Sequence, residues 1–187
     1  MVALGVFEME EQNIPHTSPP PGLLLSDTYL SEKVRFLANE ITTHYLLKKP
    51  PVCVCILEGA VFFFTDLVRK IYLPVELGFM QYSSYEGVSQ KELVLAAVPA
   101  VNFFNKNILL VDMLIDTGVT ISTAKAYFEN KEVLDVKTCA LLVRAGTQKP
   151  DFYGVEITEK EFLVGYGLDL SGKYRNWTSV YTVRGSN

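Results

Sequence analysis

Dense basic clusters are missing from this chain. Its 17 lysines and arginines are outnumbered by 21 acidic residues, which excludes nucleic acid as a partner, because backbone phosphates demand clustered cations. Histidine is scarce: His16 and His44 are too few and too scattered for a metal cluster, and His44, on a helical face, reads as solvated. Only three cysteines occur, Cys53, Cys55 and Cys139, an odd count that argues against a disulfide framework. Cys53 and Cys55 lie two apart in an apolar run, so on a strand they share a face and read as buried thiols in a reduced, cytoplasmic protein. No apolar run approaches the roughly twenty residues of a membrane span, and the opening residues, with Glu8, Glu10 and Glu11, lack the basic cap of a secretion signal.

What is present suits a core covered on both sides. Hydrophobic residues make up 49% of the chain and charged residues 20%, a balance that excludes disorder. A length of 187 residues is that of one ordinary domain, able to bury about two-thirds of its unfolded surface. Prolines 15, 19, 20 and 21 make residues 1–22 an extended arm. Ser31 is placed to cap a helix in which Val34, Leu37, Ala38, Ile41 and Tyr45 recur at helical spacing, ended by Pro50 and Pro51. Val52 to Leu57 is a continuous apolar run of strand length, and Glu58-Gly59-Ala60 turns into a helical stretch from Val61 to Ile71. Val75 to Gln81 reads as a strand, 82–106 as a flexible lid loop, Val136 to Val143 as a strand, and Phe152 to Ile157 and Phe162 to Tyr166 as two short strands. Alternation of this kind predicts an α/β fold: a mostly parallel twisted sheet with helices on both faces and its ligand at the carboxyl ends of the strands.

The most informative stretch runs from Asn107 to Thr120. An apolar run meets Asp112 and then Asp116, and dissolves into Thr117-Gly118-Val119-Thr120 before a helical segment, the order of strand, anion-binding turn and helix. The first amides of a helix have no carbonyl partner and, with the helix dipole, form a positive concavity suited to phosphate. Gly118 allows positive φ and close approach, while Thr117 and Thr120 offer hydroxyls. Asp116 at the mouth of the loop places a carboxylate beside whatever carries the phosphate. The bland alternative is a surface turn between strand and helix. Leu114-Ile115-Asp116-Thr117-Gly118 also fits the loop of aspartic proteases, but those are β proteins needing two such aspartates, and this chain has one, followed by a helical pattern.

With these residues in hand, the chain resembles the hypoxanthine-guanine phosphoribosyltransferases, type I phosphoribosyltransferases of purine salvage. The resemblance rests on the Asp112–Thr120 motif, Leu57-Glu58-Gly59 with its Phe-rich helix, Ser84-Tyr85, Leu141-Leu142-Val143, Lys149-Pro150-Asp151-Phe152, Phe162 to Asp169, and Tyr174-Arg175, in order and spacing. It implies transfer of phosphoribosyl from phosphoribosyl diphosphate to N9 of hypoxanthine or guanine, giving IMP or GMP and diphosphate, with Mg²⁺. It also implies a single domain with a small hood from the N- and C-terminal segments, residues 144–187 forming the hood and purine-binding segment, and a homodimer or homotetramer.

By the same resemblance, Asp116, Thr117, Gly118, Val119 and Thr120 surround the 5′-phosphate, with Asp116 also the acid/base near purine N7. Asp112 falls beside the ribose or metal, and Leu57, Glu58, Gly59 and Arg175 at the diphosphate. Arg144, Phe162, Leu163 and Asp169 fall at the purine, Asp169 also as a Mg²⁺ ligand, and Ser84 and Tyr85 in the lid. Three positions depart from the family pattern: Met113 replaces the second acid, Glu58 a lysine, and Arg144 followed by Ala145 a lysine and a basic residue. A non-catalytic sensor of phosphoribosyl diphosphate or a nucleotide is the alternative that these departures keep open.

Overall fold

Strand β2 (Pro51–Leu57), buried along almost its whole length, lies at the middle of a six-stranded sheet in this computed structural model, which describes residues 22–86 and 91–183, with backbone alone over 83–86 and 91–93. The other strands are β3 (Glu76–Glu86), β4 (Lys91–Ala97), β5 (Asn107–Ile115), β6 (Asp135–Arg144) and β7 (Phe152–Ile157), in the order β4-β3-β2-β5-β6-β7. All pairings are parallel except β3 with β4. Such strands are apolar on both faces because both are covered. Cys53, Cys55, Leu109, Val111 and Met113 pack beneath helices α1 (Asp27–Tyr45) and α2 (Val61–Val68). Val52, Val54, Ile56, Ile108 and Leu110 pack on the other face, against Ile121, Ala124 and Phe128 of α3 (Val119–Glu129). The period of two thus splits each strand between two cores, and it puts Cys53 and Cys55 on one face as expected. All three cysteines are buried and free.

A second sheet of three short strands, β1 (Leu23–Leu25), β9 (Val180–Val183) and β8 (Phe162–Val164), joins segments from near the two ends of the chain. Strand β8 is shorter than the expected 162–166, because Gly165 and Tyr166 adopt φ of +92° and +49° and turn the chain out of the sheet. The arm expected over 1–22 lies, apart from Gly22, outside the described residues.

Two further expectations are corrected. Helix α1 begins before Ser31: Ser26 is its cap, the hydroxyl accepting from the Tyr29 N–H at 3.2 Å, and Leu30 is already buried on the core face. The segment 82–106, read as a loop, contains strand: β3 continues to Glu86 and pairs with β4 from Gln81↔Ala97 to Glu86↔Lys91. Tyr82 and Leu95 pack on the α3-side core, a burial that the polar run Ser83-Ser84 conceals. Ser84 and Tyr85 sit in β3 by backbone, and their side chains lie outside the described residues.

From β2 the chain passes through α2 to β3 on one side, whereas β5, β2's other neighbour, leads through α3 to β6 on the opposite side. The loops after β2 and β5 therefore flank a topological switch point, the place where sheets of this kind take ligands. Among the described residues no helix is long and apolar enough to cross a membrane.

Candidate functional site

The loop after β5 is built around Gly118, the N-cap of α3, at φ +83°. A side chain there would be strained, and glycine is not. No side chain caps α3 and no acid lies in its first turn. The hydroxyls of Ser122 and Thr123 turn back to the Val119 carbonyl at 2.9 and 2.8 Å, so neither serves the helix's first N–H groups. Thr117 Oγ1 lies 3.4 Å from the Val119 N–H, at the edge of hydrogen-bond range. By contrast, α1 has both a capping serine and Asp27 in its first turn. An open helix start of this kind carries partial positive charge and suits an anion.

Asp116, exposed at the start of this loop, is held from β6. Its Oδ1 accepts from Arg144 Nε at 2.8 Å and its backbone carbonyl from Thr147 Oγ1 at 2.9 Å. Arg144 also donates through Nη1 to the Glu159 carbonyl, three residues before Phe162. Phe162 is exposed, whereas Leu163, next on β8, is buried in the α1/α2-side core. One strand thus offers an aromatic face outward and anchors itself inward. Asp112, further back on β5, is half-buried and accepts from the Met113 N–H at 2.7 Å. Burial pushes its carboxyl up to about 7, against the opposing effect of the Met113 and Leu114 amides. Met113, where the family pattern has its second acid, is fully buried beneath α1 and α2.

The loop after β2 meets the segment 165–175. The Leu57–Glu58 peptide is cis. Gly167, at φ +102°, packs so closely on Gly59 that a Cβ would run into the Gly59 carbonyl. Arg175 Nη1 donates to Asp169 Oδ1 at 2.9 Å and to the Gly167 carbonyl at 2.7 Å, and Nη2 lies 3.4 Å from Glu58 Oε2. Asp169 Oδ2 accepts from the Gly172 N–H at 2.7 Å. One arginine therefore ties together Glu58, Gly167 and Asp169.

A strut that sequence reasoning missed reinforces this junction: the Tyr166 hydroxyl donates to Asp66 Oδ2 of α2 at 2.6 Å. Burial, then the neighbouring Asp66, pushes the Tyr166 phenol above its ordinary range. The signal was weak, a tyrosine between two glycines and a lone acid in an apolar helix. Lys149-Pro150-Asp151-Phe152, counted toward the resemblance, has a structural job. Asp151 accepts from the Thr138 N–H at 2.8 Å, Thr138 Oγ1 at 2.9 Å and Lys137 Nζ at 2.9 Å, fixing the start of β7 against β6.

A cavity of about 450 Å³ adjoins the loop but is not lined by Asp112, Arg144, Phe162 or Arg175; its lining includes Thr117, Gly118, Val119, Lys125 and Lys149. Among the described residues no three histidines, cysteines or acids converge on a metal position. Asp112 and Asp169 offer oxygen donors of the kind Mg²⁺ takes, and Mg²⁺ ordinarily uses one or two carboxylates plus substrate phosphates and water instead of an all-protein cage. The donor set fits an ion that arrives with a phosphorylated ligand.

A mostly parallel sheet with an uncapped helix start and carboxylates at its switch point defines a class: an α/β protein whose carboxyl edge is suited to an anionic small molecule. Residues 26–170 match the phosphoribosyl transferase domain, and the chain belongs to that family. It is 38% identical over 167 residues to a hypoxanthine-guanine phosphoribosyltransferase of Aquifex aeolicus, covering 86% of this chain and 93% of the relative. It is 31% identical to a hypoxanthine-guanine-xanthine phosphoribosyltransferase of Tritrichomonas foetus, covering 82% and 86%. The crystal structure of a hypoxanthine-guanine phosphoribosyltransferase from Bacillus anthracis superposes with a TM-score of 0.80 at 31% identity, covering 87% of this chain and 98% of that one. The protease reading of Asp116-Thr117-Gly118 fails on the fold, because the motif joins a parallel strand to a helix.

Proposed function

We propose that this protein transfers the phosphoribosyl group of phosphoribosyl diphosphate to N9 of a 6-oxopurine, hypoxanthine or guanine, forming IMP or GMP in purine salvage. The observation that carries the reading is the uncapped, acid-free start of α3 directly after Asp116, in a chain of this family. In the reaction the C1′–oxygen bond breaks, diphosphate leaves with the electron pair, C1′ bonds to N9, and the N9 proton is lost. The amides of 117–120 hold the 5′-phosphate. Asp116 faces N7 and exchanges a proton with the purine, and Arg144, fixed by Asp116 and the Glu159 carbonyl, donates to the 6-oxo oxygen. Phe162 stacks on the base and the Leu163 backbone reads its edge. Leu57, Glu58 and Gly59 offer backbone to the diphosphate and Arg175 its guanidinium. Ser84 and Tyr85, on the β3–β4 hairpin, exclude water.

Asp112 and Asp169 would hold Mg²⁺, which when bound neutralises the departing diphosphate. The free, buried cysteines support a cytoplasmic setting. We also propose a homodimer or homotetramer, supported by exposed apolar side chains at Phe62, Leu77 and Phe79.

A second reading, a sensor that binds the donor or a nucleotide without turnover, draws support from Arg175, whose guanidinium is already occupied by Glu58 and Asp169. Incubation with donor, Mg²⁺ and each of hypoxanthine, guanine, xanthine and adenine separates the two. Nucleotide formation from hypoxanthine or guanine is expected; tight nucleotide binding with turnover on none of the four would establish the sensor.

A further inference from the structure

Resting on the transferase reading, we propose that Glu58 makes the diphosphate subsite selective for the metal-complexed anion, by standing as a carboxylate in front of the arginine that the anion must reach. Arg175 is fixed from behind: its Nη1 is taken by Asp169 at 2.9 Å and by the Gly167 carbonyl at 2.7 Å. Its Nη2 faces Glu58 Oε2 at 3.4 Å, longer than the roughly 2.7–2.9 Å of a well-made charge-assisted bond. The Glu58 side chain is 60% exposed against 26% for Arg175 and 31% for Asp169. Glu58 is therefore the loosest and outermost partner, and the one that an incoming anion displaces or sits beside.

Charge decides which anion succeeds. One guanidinium faces two carboxylates, so these three groups together carry net negative charge before any ligand enters. Free diphosphate, a polyanion, is repelled by Glu58 and must compete with it for Nη2. When a divalent cation accompanies the diphosphate, part of that charge is cancelled, and Glu58 faces a cation instead of bare oxyanions. A lysine at this position would instead favour the free anion, the form of higher charge. Glu58 is placed to do this because the close packing of Gly167 on Gly59 and the Tyr166–Asp66 bond hold its loop against the Arg175 segment.

Calorimetric titration of the full chain with inorganic diphosphate, with and without Mg²⁺, tests the proposal on wild type, Glu58→Gln and Glu58→Lys. Wild type is expected to bind diphosphate tightly only with Mg²⁺. Glu58→Gln should bind the free anion about tenfold more tightly and Glu58→Lys more tightly still, with gains that shrink at high salt. Equal affinities in all three proteins under both conditions would overturn the proposal and leave the transferase reading intact. Weaker binding by Glu58→Gln would also overturn it, because Glu58 would then be orienting Arg175. If none of the proteins binds diphosphate in either condition while all remain folded by circular dichroism, both the proposal and the assignment of the subsite fall.

Discussion

Arg144 Nε donates to Asp116 Oδ1 across 2.8 Å, so the last residue of β6 grips the first residue of the loop after β5. The pair sets the orientation of the proposed acid/base, and it is open to substrate, since the Asp116 side chain is 59% exposed. An exposed ion pair contributes only about 0.2–1 kcal/mol to stability, whereas a positioned acid/base contributes about 10²–10⁴-fold in rate. Asp116→Asn should therefore lower kcat for hypoxanthine by at least about 100-fold while leaving the melting temperature nearly unchanged. Steady-state rates equal to wild type would remove Asp116 from the chemistry.

Arg144 uses its fork at two places, Asp116 and the Glu159 carbonyl. A lysine ammonium is a single point donor on a flexible stem and cannot span both. Arg144→Lys should keep transfer to 6-oxopurines but raise KM for the base by about tenfold. Arg144→Ala should lose discrimination between hypoxanthine and adenine. The four-base assay reads both outcomes, and an unchanged base preference in Arg144→Ala would place recognition elsewhere.

Asp112 gives stability a definite dependence on pH. Its carboxyl is raised from 3.8 to about 7, chiefly by burial, so the folded protein favours the protonated form. That contribution is fully present below pH 3.8, erodes as pH rises, and is gone once pH passes about 7. Asp112→Asn, which cannot ionise, should melt higher than wild type at pH 8, by about 2–4 kcal/mol in unfolding free energy. The advantage should narrow steadily toward pH 5. A constant difference across that range, measured by thermal unfolding without added metal, would show that Asp112 ionises normally in the folded state.

The parts of this fold legible in the sequence are those where one force dominates. Val52–Leu57, Asn107–Ile115 and Val136–Val143 are mostly apolar runs of strand length, as buried parallel strands require, and Gly118 between an acid and a helix pattern marks the turn into α3. The three-stranded sheet is not legible: Leu23–Leu25 and Val180–Val183 are too short to show a period and gain their identity by pairing with each other. The hairpin over 82–97 was hidden because its register depends on Tyr82 and Leu95 meeting a distant helix. At the site, the pairings among the expected residues are not legible in the sequence. That Arg175 meets Glu58, or Tyr166 meets Asp66, follows from the sheet order, which no local pattern encodes.

Asp151 tests whether a family-matching residue need be functional. Its carboxylate accepts three hydrogen bonds, from Lys137 and twice from Thr138, and touches none of the residues assigned to substrate. Asp151→Ala leaves the Thr138 N–H and hydroxyl without their acceptor at the β6–β7 junction, a loss of about 2–3 kcal/mol on unfolding. Asp151→Asn should cost less, since one carbonyl oxygen remains to accept. In both variants kcat and KM measured well below the melting temperature should match wild type, because the sheet edge bearing Asp116 and Arg144 is held independently by the β5–β6 pairing. A tenfold fall in kcat with normal stability would mean that the β6–β7 junction transmits to the site.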